Sequence, residues 1–281
     1  MTPSRASFLL MLPGLLWLLA LMVLPCLLIF GLIFFERGIY GGIDWSAMTL
    51  ENIRRAFDPL YAVILWDSFR IAGLSTLIAL LVGYPAAYAI SKAPERWQTG
   101  LLFLAILPFW TNYLIRTYAW IVLLNPAGLV NTALASVGLG PLPLLYNEFA
   151  VILGLVYNYT PFVVLAIFAA LQRLDPSYAE ASRDLGATAA TTYWRITLPL
   201  TAPGVAAGAV FVFVLSIGNF ITPDLLGGGK FQMAGNLIYD QFLSARDWPF
   251  GATLSAGLII IMLVLLFAQA LLSRRAIGER S

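Results

Sequence analysis

Long stretches without a charged residue constrain this chain more than any other feature. An α-helix needs about 20 mainly apolar residues to cross the hydrocarbon core of a bilayer. Backbone inside lipid must also satisfy its own hydrogen bonds, which leaves helices or a closed barrel. Continuous apolar runs, rather than strict alternation, indicate helices. The uncharged stretches are Ala6–Phe35, Ile71–Ser91, Trp97–Ile115, Phe149–Gln172, Ile196–Pro223 and Trp248–Ser273.

The overall composition agrees with a membrane protein. Of the 281 residues, 60% are hydrophobic and 11% are charged, whereas soluble domains carry about 25% charged residues. We therefore predict an all-α polytopic membrane protein with a lipid bilayer as its surroundings. The first stretch is longer than the apolar part of a secretory signal, about 7–15 residues, so we expect a retained anchor. The six predicted transmembrane helices lie near 8–34, 69–91, 101–124, 149–171, 201–222 and 252–272.

The composition also excludes several classes of function. The chain has no histidine and one cysteine, Cys26. Ser-His-Asp and Cys-His catalysis are therefore excluded, and zinc coordination is disfavoured. No basic patch marks a nucleic-acid surface. We expect no enzymatic activity, no metal and no cofactor bound by this chain, and no nucleic-acid partner.

The distribution of Lys and Arg predicts the orientation in the membrane. The connection Asn125–Glu148 contains neither residue, so we place it outside, and both termini are then cytoplasmic. This orientation leaves five basic residues outside, namely Arg37, Arg54, Arg55, Lys230 and Arg246. It places nine inside, namely Arg5, Lys92, Arg96, Arg173, Arg183, Arg195, Arg274, Arg275 and Arg280.

The inner connection 172–199 is rich in helix signals. Asp175 followed by Pro176 is typical of a helix start, and Gly186 suits the left-handed backbone that ends a helix. Thr188 can cap a second short helix. A helix–Gly–helix element of this kind can rest on the lipid interface or dock into a protein groove. Its carboxylates and alanines favour the protein groove, because interfacial helices usually carry many Lys and Arg residues.

The same connection resembles a known motif. Glu180-Ala181, Gly186, and then Ile196-x-Leu198-Pro199 are similar in residue type and spacing to the EAA loop of type I ABC importer permeases, with Ser182 in place of the third alanine. The resemblance implies that fold, and a coupling helix seated in a groove of a separate ATPase. The coupling residues that it implies are Glu180, Ala181, Ser182, Arg183, Asp184, Gly186, Ala187, Ile196, Leu198 and Pro199.

Other stretches resemble the spermidine/putrescine branch of that family, namely Asp58–Tyr61, Pro108–Asn112, Leu114–Tyr118, Asp224–Gly228 and Arg246–Gly251. This resemblance implies a permease of the bacterial inner membrane that forms half of the pathway for a small cationic solute, most plausibly a polyamine. An opine, an amino-acid derivative or another small amine stays open as the substrate. The implied partners are a second, different permease, two ATPase subunits that bind ATP and Mg, and a periplasmic solute-binding protein.

The implied organisation has three parts. Residues 1–67 form the N-terminal helix and the first periplasmic loop, and residues 68–273 form a core of five transmembrane helices with the coupling loop. Residues 274–281 form a cytoplasmic tail.

Polar residues inside the spans are candidates for the translocation pathway. Arg116 is expensive inside a bilayer, so it either lines the pathway, snorkels outward or pairs with a carboxylate. Asparagine and threonine at such positions also serve as hydrogen bonds between helices. Tyr159, next to Asn158, is a further candidate. The predicted pathway residues are Trp110, Asn112, Tyr113, Arg116, Trp120, Tyr157, Asn158, Asn219, Thr222 and Asp224.

A transporter driven by an ion gradient is the rival hypothesis. Such proteins place ionisable residues near the middle of the membrane. Apart from Arg116, the predicted spans of this chain carry almost no charge. The sequence therefore favours the ATP-driven importer.

Overall fold

The computed structural model describes residues 5–278, with side chains from Leu10 to Leu271. The fold is mainly helical. Its helices are α1 (Arg5–Leu32), α2 (Glu51–Ala56), α3 (Pro59–Lys92), α4 (Glu95–Ile106), α5 (Tyr113–Leu124), α6 (Leu129–Ser136), α7 (Glu148–Gln172), α8 (Pro176–Asp184), α9 (Ala189–Thr192), α10 (Leu198–Ile217), α11 (Ile221–Gly227), α12 (Ala234–Leu243) and α13 (Trp248–Gly278). A 3₁₀ turn covers Leu107–Trp110, and a π turn covers Tyr193–Thr197.

Six segments of the described chain are long and apolar enough to cross a membrane, which confirms the predicted number of spans. They are Leu10–Leu32, Pro59–Lys92, Tyr113–Ser136, Glu148–Gln172, Ala189–Ile217 and Trp248–Leu271. The predicted tail at 274–281 lies partly outside the described residues, which end at Gly278.

The predicted single helix at 101–124 is wrong, because the chain breaks at Thr111 and Asn112. The break follows Pro108, which has no backbone N–H to donate. The Pro108 carbonyl instead accepts from the backbone N–H and the hydroxyl of Thr111, at 3.3 and 2.7 Å. The Asn112 side chain then caps α5 by accepting from the Leu114 backbone N–H at 2.8 Å.

The predicted helix at 201–222 is also interrupted. Helix α10 begins at Leu198 and ends at Ile217, and α11 begins only at Ile221. Gly218 ends α10, and the Asn219 side chain accepts from the Thr222 backbone N–H at 2.9 Å, as a helix cap does. Hydropathy does not register this break, because the residues on both sides of it are apolar.

The connection between the first and second spans contains a small sheet that the sequence analysis did not predict. Strand β1 (Phe35–Arg37) pairs antiparallel with β2 (Ile43–Met48). The turn between them contains Gly41 and Gly42, with φ of +87° and +80°. Only glycine adopts such angles without strain, so these residues permit the reversal.

Two compact units divide the chain, and the first comprises residues 1–63 and 237–261. In this unit the guanidinium of Arg55 lies 3.0 Å from a carboxylate oxygen of Asp247 and 4.1 Å above the ring of Phe250. Asn52 donates to the carbonyls of Ile33 and Phe35 at 3.0 and 2.8 Å. These contacts fix the segment between the end of α1 and the start of α3.

The second unit comprises residues 64–236 and 262–281. Its core lies where α3, α7 and α10 pack together. Gly204 and Gly208 are one turn apart on α10 and lie against Ala166 of α7. Small residues at this spacing let two helix backbones approach closely, and this is the usual means of packing in lipid, where burial of apolar side chains gives little advantage. The Tyr84 hydroxyl, 2.9 Å from the Thr201 hydroxyl, joins α3 to α10.

We expect Gly204→Val to destabilise the protein by about 1–3 kcal/mol, because side-chain atoms would have to enter a packed interface. An added Cβ at Gly204 would lie 3.0 Å from the Ala166 carbonyl oxygen and overlap the Cβ of Ala170. Thermal unfolding in detergent measures the effect. Gly73→Val is the matched control, since no atom lies within 4 Å of a Cβ added there. Equal unfolding midpoints for both variants would contradict this account of the interface.

Candidate functional site

The connection 172–199 folds into the helix–Gly–helix element that its sequence predicts. The Asp175 side chain accepts from the Ser177 backbone N–H at 2.9 Å, and Pro176 occupies the first turn of α8. The hydrogen bonds from Ser177 hold the pKa of the Asp175 carboxyl below its usual value. Gly186 has φ of +82°, as predicted for the residue that ends the helix. Thr188 accepts from the Thr191 backbone N–H at 3.2 Å and caps α9.

Helix α8 is tied to the helix that follows it. The hydroxyl of Ser182, the residue that departs from the EAA pattern, lies 2.9 Å from the hydroxyl of Thr192, and both side chains are buried. From α9 the helical path continues through the π turn into α10 without a break. The other predicted coupling residues divide into a half-buried group and an exposed group. Ala187, Ile196 and Leu198 are half-buried, and Glu180, Ala181, Arg183, Asp184, Gly186 and Pro199 are exposed.

An apolar residue at the tip of this element was missed by the sequence analysis. Leu185 is 89% exposed, at the end of α8 and directly before Gly186. Tyr178 on the same helix is 56% exposed. Large apolar side chains at an aqueous surface are often covered by a partner. The sequence does contain a signal for this residue, because Leu185 is a large apolar residue that stands between the polar residues of α8 and Gly186.

A hydrogen-bonded cluster joins the two interrupted helices. The Asn219 amide donates to the hydroxyls of Tyr113 on α5 and Tyr159 on α7, at 2.5 and 2.6 Å. The Tyr113 hydroxyl also bonds to the hydroxyl of Thr222 on α11. Asn219 is only 8% exposed, and Thr222 is fully buried. Three of the predicted pathway residues, Tyr113, Asn219 and Thr222, are thus brought together.

A groove of about 360 Å³ opens beside this cluster. No charged side chain is among the residues that line it, which are Tyr113, Tyr159, Val214, Leu215, Gly218, Asn219, Phe220 and Ile221. Helix α10 ends at this groove, whereas α5 begins at Tyr113 and α11 at Ile221, so helix ends of both signs meet there. The groove therefore presents aromatic rings and hydroxyls, with no charged side chain among its described lining residues.

Arg116 stabilises the break between α4 and α5. It is only 7% exposed, so it does not snorkel, and a terminal guanidinium nitrogen donates to the Pro108 carbonyl at 2.8 Å. Its guanidinium carbon lies 5.6 and 5.7 Å from the ring centres of Phe109 and Tyr113. Among the described residues, no carboxylate forms an ion pair with it.

The other predicted pathway residues lie outside the hydrogen-bonded cluster. The rings of Trp120 and Tyr157 meet edge to face, with centres 5.4 Å apart. Asn158 is 1% exposed, and both polar atoms of its amide lack a partner within the described part of the chain. Trp110, Asn112 and Asp224 are exposed. Tyr159, the neighbour of Asn158, is the cluster member that the sequence analysis named only as a further candidate.

Comparisons with known proteins define the family. Residues 4–278 match the family described as "Binding-protein-dependent transport system inner membrane component". The chain belongs to this family. It is therefore a multi-pass permease of the bacterial inner membrane, of the ABC transporter class, and not a soluble protein.

Curated relatives resemble the chain over almost all of its length. The spermidine/putrescine transport system permease protein PotB of Haemophilus influenzae is 42% identical, covering 92% of each chain. The protein of that name in Escherichia coli is 41% identical and covers 92% of this chain and 94% of its own. The inner membrane ABC transporter permease protein YdcU of Escherichia coli is 30% identical, over 96% of this chain and 90% of its own.

Solved structures share the fold. A chain of the bacterial alginate ABC transporter, in complex with an alginate pentasaccharide-bound periplasmic protein, superposes with a TM-score of 0.78 at 19% identity. The superposition covers 95% of this chain and 93% of that one. A chain of the MetNI methionine transporter gives a TM-score of 0.58 at 17% identity, covering 78% of this chain and 98% of that one. The predicted permease fold is therefore confirmed.

The two buried asparagines provide a direct test of the cluster. We expect Asn219→Leu to lower the free energy of unfolding by about 1–3 kcal/mol, because the Thr222 N–H and two phenols lose a buried partner. Asn158→Leu should be neutral or stabilising, since it removes a buried amide that makes no hydrogen bond within the described residues. Unfolding in mixed detergent–SDS micelles compares the variants. Equal losses at both positions would show that the hydrogen bonds of Asn219 contribute nothing particular.

Proposed function

We propose that this permease forms half of the translocation pathway for a polyamine such as spermidine or putrescine, and that α8 couples it to a separate ATPase. The observation that carries the substrate class is the groove at the α10–α11 break. An ammonium group there meets the Tyr113 and Tyr159 rings, which attract a cation. The relatives at 41–42% identity are named as spermidine/putrescine permeases, and these names support the same class of substrate.

The groove is less suited to an opine or an amino-acid derivative. The carboxylate of such a substrate needs a cationic partner or several N–H donors. No cation lines the groove, and Arg116 is engaged with the Pro108 carbonyl on the side of the Tyr113 ring. These substrates are the second candidate class, and the assay below distinguishes them.

The proposed coupling follows from the connectivity of the second unit. Helix α8 is bonded to α9 through Ser182 and Thr192, and the helical path from Ala189 to Ile217 then leads to the break beside Asn219. A helical segment of 29 residues spans about 40 Å at 1.5 Å per residue. A displacement of α8 by an ATPase would therefore be transmitted to the groove through one continuous helical segment.

The partners that we propose complete the importer. A second, homologous permease supplies the other half of the pathway, and two ATPase subunits bind ATP and Mg. A periplasmic solute-binding protein delivers the substrate to the outer loops. Both termini of this chain then lie in the cytoplasm, on the same side as α8. Of the predicted pathway residues, Tyr113, Asn219 and Thr222 lie at the groove, and the remaining ones are proposed to line the path beyond it.

A gradient-driven transporter is disfavoured by the chemistry of the cluster. Its members are two phenols, one amide and one hydroxyl, and none is an acidic or basic side chain of the kind that such transporters place near the middle of the membrane. The match to a binding-protein-dependent family points in the same direction.

Substrate selection is tested by reconstituting the permease with the subunits that co-purify with it in mild detergent. We expect its binding protein loaded with spermidine or putrescine to stimulate ATP hydrolysis severalfold, because these substrates carry only ammonium groups. Amino acids and opines should give basal rates in the same assay. Stimulation by an opine but not by a polyamine would replace the proposed substrate class. Failure to recover an ATPase at all would contradict the importer itself.

The coupling role predicts that Gly186→Val and Leu185→Asp abolish stimulated ATP hydrolysis while membrane insertion stays normal. Valine at φ +82° strains the end of α8, and aspartate would place a charge on a surface meant to be covered. ATPase activity and co-purification of the ATPase both measure the effect.

Gly138→Val is the matched control for Gly186→Val. Gly138 has φ of +80° and, as at Gly186, no atom lies within 4 Å of an added Cβ. The backbone strain is therefore similar, but the position is in another connection. If Gly138→Val impaired stimulation as strongly, the loss would come from general strain rather than from α8.

A further inference from the structure

A second cavity, of about 320 Å³, lies beside α8 at the opposite end of α10 from the groove. The last turns of α3 and α7, the first turn of α4, helix α8 and the start of α10 all contribute to its walls. Helix α8 thus forms one side of the cavity, and the ends of membrane spans form the others. The translocation pathway proposed above does not include this cavity.

Two cations from different elements line the cavity. Lys92 is the last residue of α3, and Arg183 lies in the last turn of α8. Within the described part of the chain neither forms an ion pair. The Arg183 Nε donates to the Ala179 carbonyl at 3.1 Å, and the Lys92 ammonium lies 5.5 Å from the centre of the Tyr88 ring. Both cations therefore line the cavity without an ion-pair partner among the described residues.

The remaining lining supplies hydrogen-bonding groups and one acid. Ser91 and Gln172 line the cavity beside Lys92. Asp175 is the acid, and its carboxylate is engaged as the cap of α8, where it accepts from the Ser177 backbone N–H. Two cations against one committed carboxylate leave the lining with a net positive charge, which is suitable for an anion.

The position of the cavity relative to the bilayer indicates which class of anion can bind there. Lys92 and Gln172 are the last residues of two membrane-spanning segments, Pro59–Lys92 and Glu148–Gln172. The segment Glu148–Gln172 has 25 residues and is about 37 Å long, so its end at Gln172 lies at the level of the lipid headgroups, and Lys92 lines the same cavity. Basic pockets between spans on the cytoplasmic side are known to hold anionic headgroups.

We propose that this cavity binds a phosphate group, and that the phosphate is that of an anionic phospholipid. Lys92 and Arg183 contact it from two sides, with the amide of Gln172 as a neutral partner, since the Ser91 hydroxyl already donates to the Tyr88 carbonyl at 2.8 Å. A bound headgroup would connect the end of α3 to α8 and so limit how far α8 moves relative to the span. This consequence for transport rests on the proposed function of α8, whereas binding itself does not.

Binding is measured on the full chain by native mass spectrometry in detergent, with phosphatidylglycerol as the probe. Each cation removed, by Lys92→Gln or Arg183→Gln, should weaken binding about fivefold, and the double variant about thirtyfold, since a basic residue near an anionic lipid surface contributes about 1 kcal/mol. Lys92→Arg keeps the charge and should retain binding. Inorganic phosphate, added in competition, distinguishes a free phosphate from a lipid as the source.

Arg96→Gln is the matched control, because Arg96 is exposed in the first turn of α4 and does not line the cavity. Its phosphatidylglycerol binding should equal that of the unmodified chain. Displacement of the lipid by millimolar inorganic phosphate would keep the phosphate site but assign it to a soluble ligand. Equal lipid binding by the double variant and the Arg96 variant would overturn the proposal. Because the assay needs neither ATPase nor transport, its failure would leave the proposed function intact.

Discussion

Every backbone polar group inside a bilayer needs a partner from the protein, and the site of this permease depends on that constraint. The predicted spans at 101–124 and 201–222 are each interrupted, and polar side chains at each break replace the lost helical hydrogen bonds. At the first break, Thr111 and Arg116 bond to the Pro108 carbonyl, and Asn112 caps the helix that follows. At the second, Asn219 performs the capping role. The polar residues at these two positions are therefore explained by the breaks in the helices.

The second break does more than satisfy its own backbone. The amide of Asn219 uses both hydrogens on phenols from two other helices, so α5, α7 and α10 meet at one side chain. Gly235 allows the start of α12 to lie close to the backbone of the break, since a Cβ there would lie 2.7 Å from the Gly218 and Asn219 carbonyl oxygens. The break is therefore a fixed junction. One end of α10 is thus held at this junction, and the other continues through the π turn into α9, which Thr192 bonds to Ser182 of α8.

The sequence predicted these features unevenly, for physical reasons. Residues 175–186 could be read correctly because N-caps and left-handed glycines are local signals, and both are confirmed. The six spans could be counted because hydropathy is additive along the chain. The breaks at 111–112 and 218–220 were missed because no charged residue interrupts either stretch. The role of Arg116 could not be assigned, since its acceptor is a carbonyl that becomes available only when Pro108 ends a helix.

The described lining of the groove carries no charge, which is consistent with a site that a substrate passes through rather than one that binds it tightly. A conducting site must attract its substrate enough for entry and release it quickly enough for passage. A carboxylate among the lining residues would bind an ammonium group tightly in a region of low dielectric constant. The aromatic rings attract the same cation more weakly, and Arg116, 5.7 Å from the centre of the Tyr113 ring, weakens the attraction further. In a system that depends on a binding protein, tight and selective capture belongs to that partner, so a weakly attractive, neutral groove is the arrangement expected of the membrane subunit.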